Sequence, residues 1–138
     1  MNEALADPPS GADVNCDGNA DTTDDEFVEI VNIGSVPADL AGVTVEDGTG
    51  VRFTFPAGTT LAVNGAAVVF GGGSPNCAAI PNVQVFVAPS GLGLTNGGDL
   101  VGLATAGGQT IDILAWGPEG GNDESVNHDP ELDTAAPV

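Results

Sequence analysis

Leu100-Val101-Gly102-Leu103 and Thr110-Ile111-Asp112-Ile113-Leu114-Ala115-Trp116 stand on either side of Gly107-Gly108. Two strand-like runs joined across a glycine pair read as a β-hairpin. The same signal recurs outward in both directions. Val83-Gln84-Val85-Phe86-Val87 alternates, and Ala66 to Phe70 is a continuous apolar run, read as buried on both faces and stopped by Gly71-Gly72-Gly73. Val51-Arg52-Phe53-Thr54-Phe55 alternates up to Pro56. Val43-Thr44-Val45-Glu46 stops at the turn dipeptide Asp47-Gly48. Phe27-Val28-Glu29-Ile30-Val31-Asn32 is a β-branched run ended by Gly34 and Pro37. With Glu3 to Ala6 and a weak strand near Ser125-Val126, about nine short strands are expected. No window shows a helical apolar period free of glycine and proline. Short strands at this spacing predict an all-β, antiparallel β-sandwich.

The chain has 138 residues, which suggests one domain over 1–128 followed by a C-terminal tail, 129–138, marked by Pro130 and Pro137. Its 21 glycines and 10 prolines suit tight turns between strands. Twenty acids face one base, Arg52, for a net charge of −19. That balance excludes a nucleic-acid partner, since no basic footprint exists to meet phosphate. It equally excludes docking on anionic lipid through a basic patch. No apolar run is long enough for a transmembrane helix, so no membrane insertion is expected. Met1 is followed by Asn2-Glu3 rather than by a basic and apolar stretch, so no signal peptide is read here.

The acids are clustered. Seven lie between Asp13 and Glu29 and six between Glu119 and Asp133, while none occurs from Gly48 to Gly98. Such clustering argues against halophilic adaptation as the full cause of the charge. Within the first cluster, Asp13-Val14-Asn15-Cys16-Asp17-Gly18-Asn19-Ala20-Asp21-Thr22-Thr23-Asp24 follows the twelve-residue calcium-loop pattern. Side chains at 13, 15 and 17 alternate toward one point, and Gly18 permits the bend. Asn19 would supply its carbonyl, Asp21 would reach directly or through water, and Asp24 would close the shell. All these donors are oxygens, which selects a hard cation, and calcium over the stricter octahedral magnesium. The twelfth position is Asp rather than Glu, so Asp25 or Glu26 is an alternative cap. The flanking helices of an EF-hand are missing, since Pro8-Pro9 precedes the loop and a strand run follows it. Affinity in the range of extracellular modules, on the order of 10⁻⁴–10⁻³ M, is expected. The bland alternative is a solvated, Asx-rich turn.

Cys16 and Cys77 are the only cysteines, and both fall in polar, turn-rich surroundings that suit a disulfide in an oxidising compartment. Two free thiols are the alternative. Catalysis finds little support. The single histidine, His128, lies in a polar Asn-His-Asp-Pro stretch and reads as a solvated surface residue. Asp99 and Asp112 read as turn caps or solvated acids, and no nucleophile elbow occurs. Trp116 reads as core, and Gly71-Gly72-Gly73 lacks the lysine and helix of a phosphate cradle.

The order of these segments resembles the bacterial lamin-tail domain family. Asn2-Glu3 through Asp24-Asp25-Glu26-Phe27-Val28-Glu29-Ile30-Val31-Asn32 is similar to the family's opening. Ala38-Asp39-Leu40-Ala41-Gly42-Val43-Thr44-Val45, Phe55-Pro56-Ala57-Gly58-Thr59 and Leu61-Ala62 with Gly65 follow in the family's order. Gly93-Leu94-Thr95-Asn96-Gly97-Gly98-Asp99-Leu100-Val101 matches a further segment, and Ile111-Asp112 with Trp116-Gly117 the late strand. The usual tryptophan after Leu40-Ala41-Gly42 is Val43 here. The resemblance covers about 1–128 and implies an immunoglobulin-like sandwich without catalytic residues. Bacterial members are typically secreted or surface modules, some fused to nucleases or other hydrolases. The expectation is therefore an extracellular or cell-surface structural or adhesive module stabilised by calcium. Its partners would be further copies of itself, in a fibre or surface layer, or other surface proteins. The alternative is an accessory targeting domain of a larger secreted enzyme such as a nuclease.

Overall fold

A computed structural model describes residues 1–128; the expected tail at 129–138 lies outside them. Eleven strands are present among the described residues: β1 (Glu3–Leu5), β2 (Phe27–Val31), β3 (Ala38–Asp39), β4 (Thr44–Asp47), β5 (Val51–Thr54), β6 (Thr60–Leu61), β7 (Ala66–Phe70), β8 (Val83–Val87), β9 (Asp99–Ala104), β10 (Thr110–Trp116) and β11 (Val126–Asn127). One sheet runs β11-β1-β2-β7-β8 and the other β10-β9-β4-β5, with β3 and β6 forming a small third. All nine expected strands are found. The two additional strands, β3 and β6, are two residues each, too short for alternation to show in a sequence.

The period-2 pattern builds the core. Val28 and Ile30 of β2, Ala67 and Val69 of β7, Val45 of β4, Val101 and Leu103 of β9 and Leu114 of β10 all turn inward and join one cluster. Burying side chains of this size from both sheets is what makes the two layers a sandwich. Phe53, Phe55 and Phe86 cluster at 5.0–5.5 Å between ring centroids, Phe55 edge-on to both others and Phe53 tilted against Phe86, and close one side. Trp116 is buried as expected and donates its indole N–H to the Thr95 carbonyl at 3.0 Å. The β9–β10 hairpin turns at Gly107-Gly108, where Gly108 has φ 81° and its N–H reaches the Thr105 carbonyl.

Two details depart from expectation. The β7–β8 pair is parallel, with Ala66 beside Val83 and Phe70 beside Val87; every other pairing is antiparallel. A parallel neighbour requires a crossover of about a dozen residues, and the connection 71–82 is that crossover. His128, expected at the surface, is buried, with Nε2 3.9 Å from Asp112 Oδ1. The cause is β11: its pairing with β1, Val126 with Ala4 and Asn127 with Glu3, brings the next residue, His128, beside Asp112. Asp112, expected as a cap or solvated acid, is also buried there and accepts a hydrogen bond from the Met1 ammonium at 2.5 Å.

Candidate functional site

The acidic segment before β2 folds as a chain of Asx turns. Asp13 accepts the Asp17 N–H on Oδ1 (3.0 Å) and the Gly18 N–H on Oδ2 (2.9 Å). Asn15 Oδ1 accepts the Asp17 N–H at 3.0 Å, and Asp17 Oδ1 accepts the Asn19 N–H at 2.9 Å and its side-chain amide at 3.2 Å. Asp21 Oδ1 accepts from Thr23 N–H, Thr23 O–H and Asp24 N–H. Short polar side chains that bond the backbone two to five residues on are what hold such a segment in tight turns without a helix. Gly18, at φ 96°, makes the bend the pattern requires.

Asp25 underlies the whole loop. It is fully buried, with Oδ1 accepting the Val14 and Asn15 N–H groups (2.9 and 2.8 Å) and Oδ2 the Asp21 N–H (2.8 Å). Counted among the ligand candidates by sequence, it holds the two ends of the loop together. Asn15, equally buried, sends its amide toward the Gly72 carbonyl at 3.3 Å and the Asp24 carbonyl at 3.5 Å.

The loop is seated on the start of the β7–β8 crossover. Gly72 N–H donates to the Asp24 carbonyl (3.1 Å), Asn76 N–H to the Asn15 carbonyl (2.9 Å) and Ser74 N–H to Asp17 Oδ2 (3.0 Å). The Cys16–Cys77 disulfide, with Cα atoms 4.9 Å apart, completes the seam. Gly71-Gly72-Gly73 now has a structural reason. A Cβ at Gly71 would lie 2.0 Å from the Thr23 carbonyl oxygen, one at Gly72 2.0 Å from Asp24 Oδ1, and one at Gly73 2.4 Å from Asp17 Oδ2. Only residues without a side chain let the acidic loop lie this close. The run was visible in the sequence, but nothing local says which segment packs on it.

The charges in this seam are unevenly placed. The Ser74 and Asn19 amides hold the Asp17 carboxyl below the usual carboxylate range, and the Thr23 and Asp24 amides do the same for Asp21. Asp24 is pushed up, by burial first and then by repulsion from Asp21, Asp17 and Asp25. Arg52 is engaged elsewhere, bonded to Asp47 and to Thr49.

The donor set of Asp13, Asn15, Asp17, Asp21, Asp24 and the Asn19 carbonyl is all oxygen. A carboxylate oxygen that accepts one amide keeps a further lone pair for a cation. These residues therefore fit a hard ion chemically. Among the described residues, however, no three His, Cys, Asp or Glu side chains are gathered into a preformed metal-binding group.

Glu26, an alternative cap of the loop by sequence, is turned away from it toward the Leu94 amide. Glu26 is buried, with Oε2 accepting the Leu94 N–H at 3.3 Å. Burial pushes it up to about 7, against the lowering effect of the Leu94 and Gly93 amides. It ties the start of β2 to the Gly93–Val101 segment. There Asp99 accepts the Thr95 N–H at 2.9 Å, and Asn96 donates to Asp7 at 2.6 Å. Asn32, at the other end of β2, donates to the Val36, Leu61 and Ala62 carbonyls and accepts the Gly34 N–H. Both ends of this strand thus carry a buried polar side chain that fixes a neighbouring loop. No helix among the described residues is long and apolar enough to cross a membrane. A family model described as Lamin Tail Domain matches residues 2–118. No curated protein matches the chain.

Proposed function

The chain belongs to the lamin tail domain family, and from that premise we propose that it is an extracellular structural or adhesive module whose acidic loop is stabilised by calcium. Family and fold are those of a structural immunoglobulin-like module. The calcium part of the reading is carried by one observation: the half-buried Asp24 carboxyl is pushed up by burial and by the neighbouring carboxylates of Asp21, Asp17 and Asp25, at a seam where the one Arg of the chain is committed to Asp47. Like charges this close destabilise the folded loop unless a cation offsets them. Asp13, Asn15, Asp17, Asp21, Asp24 and the Asn19 carbonyl would hold the ion, with Asp25 and Gly71–Gly73 bracing them from beneath. A bound calcium would supply positive charge and a common centre for these oxygens. The disulfide supports an oxidising, extracellular setting. The reading gives the chain no catalytic role.

Thermal unfolding with and without calcium tests the metal. At a Kd of about 10⁻⁴–10⁻³ M, calcium at about 10 mM binding only the folded state stabilises it by about 1.4–2.7 kcal/mol. The melting temperature is expected to fall in EDTA and to recover with millimolar calcium but not with equal magnesium. The calcium-dependent shift should shrink in Asp17→Asn. A melt that is the same in EDTA and in calcium would remove the metal from the reading.

A further inference from the structure

The two main sheets end in four edge strands, and three of them are guarded. An edge strand exposes main-chain N–H and C=O groups that can pair with another chain, and proteins blunt it with brevity, charge, proline or a bulge. β11 is only two residues long. β10 carries Asp112 and a register shift between Thr110 and Asp112. β5 carries Arg52 and lies across a register shift at Val45/Glu46. β8 has no such device. Its five residues, Val83-Gln84-Val85-Phe86-Val87, run in unbroken register with β7, uncharged and free of proline. They lie inside the acid-free stretch from Gly48 to Gly98.

The faces of β8 differ. Phe86 turns inward against Phe53 and Phe55. Val83, Val85 and Val87 share the other face, where Val85 is 51% exposed. Together with Val68 and with Ile80, which is 64% exposed, Val83 and Val85 line a recess of about 360 Å³. An uncharged edge is thus joined to an apolar strip on the outer surface.

We propose that β8 is the surface through which two copies of this chain associate, edge to edge and antiparallel, about a two-fold axis at Val85. The strand is its own complement in that register. Val85 faces Val85 of the second copy, Val83 faces Val87, and Gln84 faces Phe86. Cross-strand pairs of β-branched residues are favourable, and each five-stranded sheet extends into its neighbour. Charge selects this occupant. At −19 per copy, two chains repel wherever their acids face each other, and the edge at β8 is where acids are absent. A basic partner finds no carboxylate there to attract it. A second copy brings the same neutral strand, as an isologous contact requires. The proposal rests on the structural-module reading and deepens it; it makes no use of the acidic loop.

Sedimentation equilibrium on the oxidised chain, in EDTA and separately in calcium, tests it. The expected mass approaches twice 13.5 kDa with rising concentration in both buffers, and association strengthens as NaCl screens the repulsion. Val85→Glu places two carboxylates opposite each other. It should weaken the dimer at least tenfold while leaving the monomer's melt unchanged, because the side chain is half exposed. Ile113→Glu, on the outer face of β10, should leave association unchanged. A chain that stays monomeric at about 1 mM overturns the proposal and leaves the edge to another protein's strand. So does a dimer that Val85→Glu does not weaken, one that Ile113→Glu disrupts, or one that weakens as salt rises. A dimer seen only in calcium would place the contact at the loop and also overturn it. The calcium reading is judged separately, by the melt.

Discussion

Replacing both cysteines, Cys16→Ser with Cys77→Ser, isolates what the bridge does for the fold. The linked residues are 61 apart in sequence. Closing a loop of that size removes about 4 kcal/mol of chain entropy from the unfolded state. Both cysteines lie at the surface, so the substitution leaves no buried cavity. The other ties across the seam remain: Asn76 to Asn15, Ser74 to Asp17 and Gly72 to Asp24. The native sandwich should therefore persist, and the loss should come almost wholly from a freer unfolded chain. Urea unfolding at neutral pH reads this directly. With a slope of about 2 kcal/mol/M, the midpoint should fall by about 2 M. The slope itself should rise, because the unfolded chain expands. A loss below about 1 kcal/mol would refute the entropic account. So would a full loss accompanied by altered amide chemical shifts throughout both sheets, since the bridge would then be shaping native packing.

Gly71→Ala drives a methyl group into the Thr23 carbonyl and is expected to cost about 2–3 kcal/mol as overpacking, whereas Gly50→Ala, which meets nothing within 4 Å, should stay within about 0.5 kcal/mol; equal effects in chemical denaturation would remove the seat assigned to the glycine run. Glu26 is pushed up to about 7 from an ordinary 4.5, so the folded state holds its proton more tightly than the unfolded one. Its stabilising protonation is complete below about 4.5 and is lost as pH rises through 7, by about 3 kcal/mol. In EDTA the stability difference between Glu26→Gln and the parent should swing by that amount over this window, and parallel pH profiles would contradict the burial argument. Asp47 behaves in the opposite sense. Burial alone would raise it, but the Arg52 guanidinium and the Thr49 and Gly50 donors bring it down to about 2. Its stabilisation is present above an ordinary 3.8 and disappears as pH falls through 2. Asp47→Asn should therefore cost about 2 kcal/mol at pH 7 and little at pH 2; a cost that did not vanish in acid would locate it in packing.

What was legible in the sequence was local. Alternation along β2, β4, β5, β9 and β10 shows itself within four to seven residues, because a strand's two faces are decided by its own side chains. The acidic loop is legible for the same reason: its Asx turns are bonds between residues two to five apart. What stayed hidden depends on partners far along the chain. A triple glycine fits a loose turn, a phosphate cradle or a packing seat equally well until Thr23 and Asp24 are known to lie against it. A polar Asn-His-Asp stretch looks solvated until β11 pairs with β1 and carries His128 inside. The parallel order of β7 and β8 is invisible in either strand, since both orders present the same faces; only the length of the crossover between them bears on it. The bridge stands between these cases. Its pairing was forced by there being two cysteines, but its meaning was not. Cys77 sits on the crossover that makes β8 a parallel edge, and Cys16 sits in the acidic loop. One covalent bond therefore fastens the most highly charged segment of the described chain to the connection that delivers its uncharged edge.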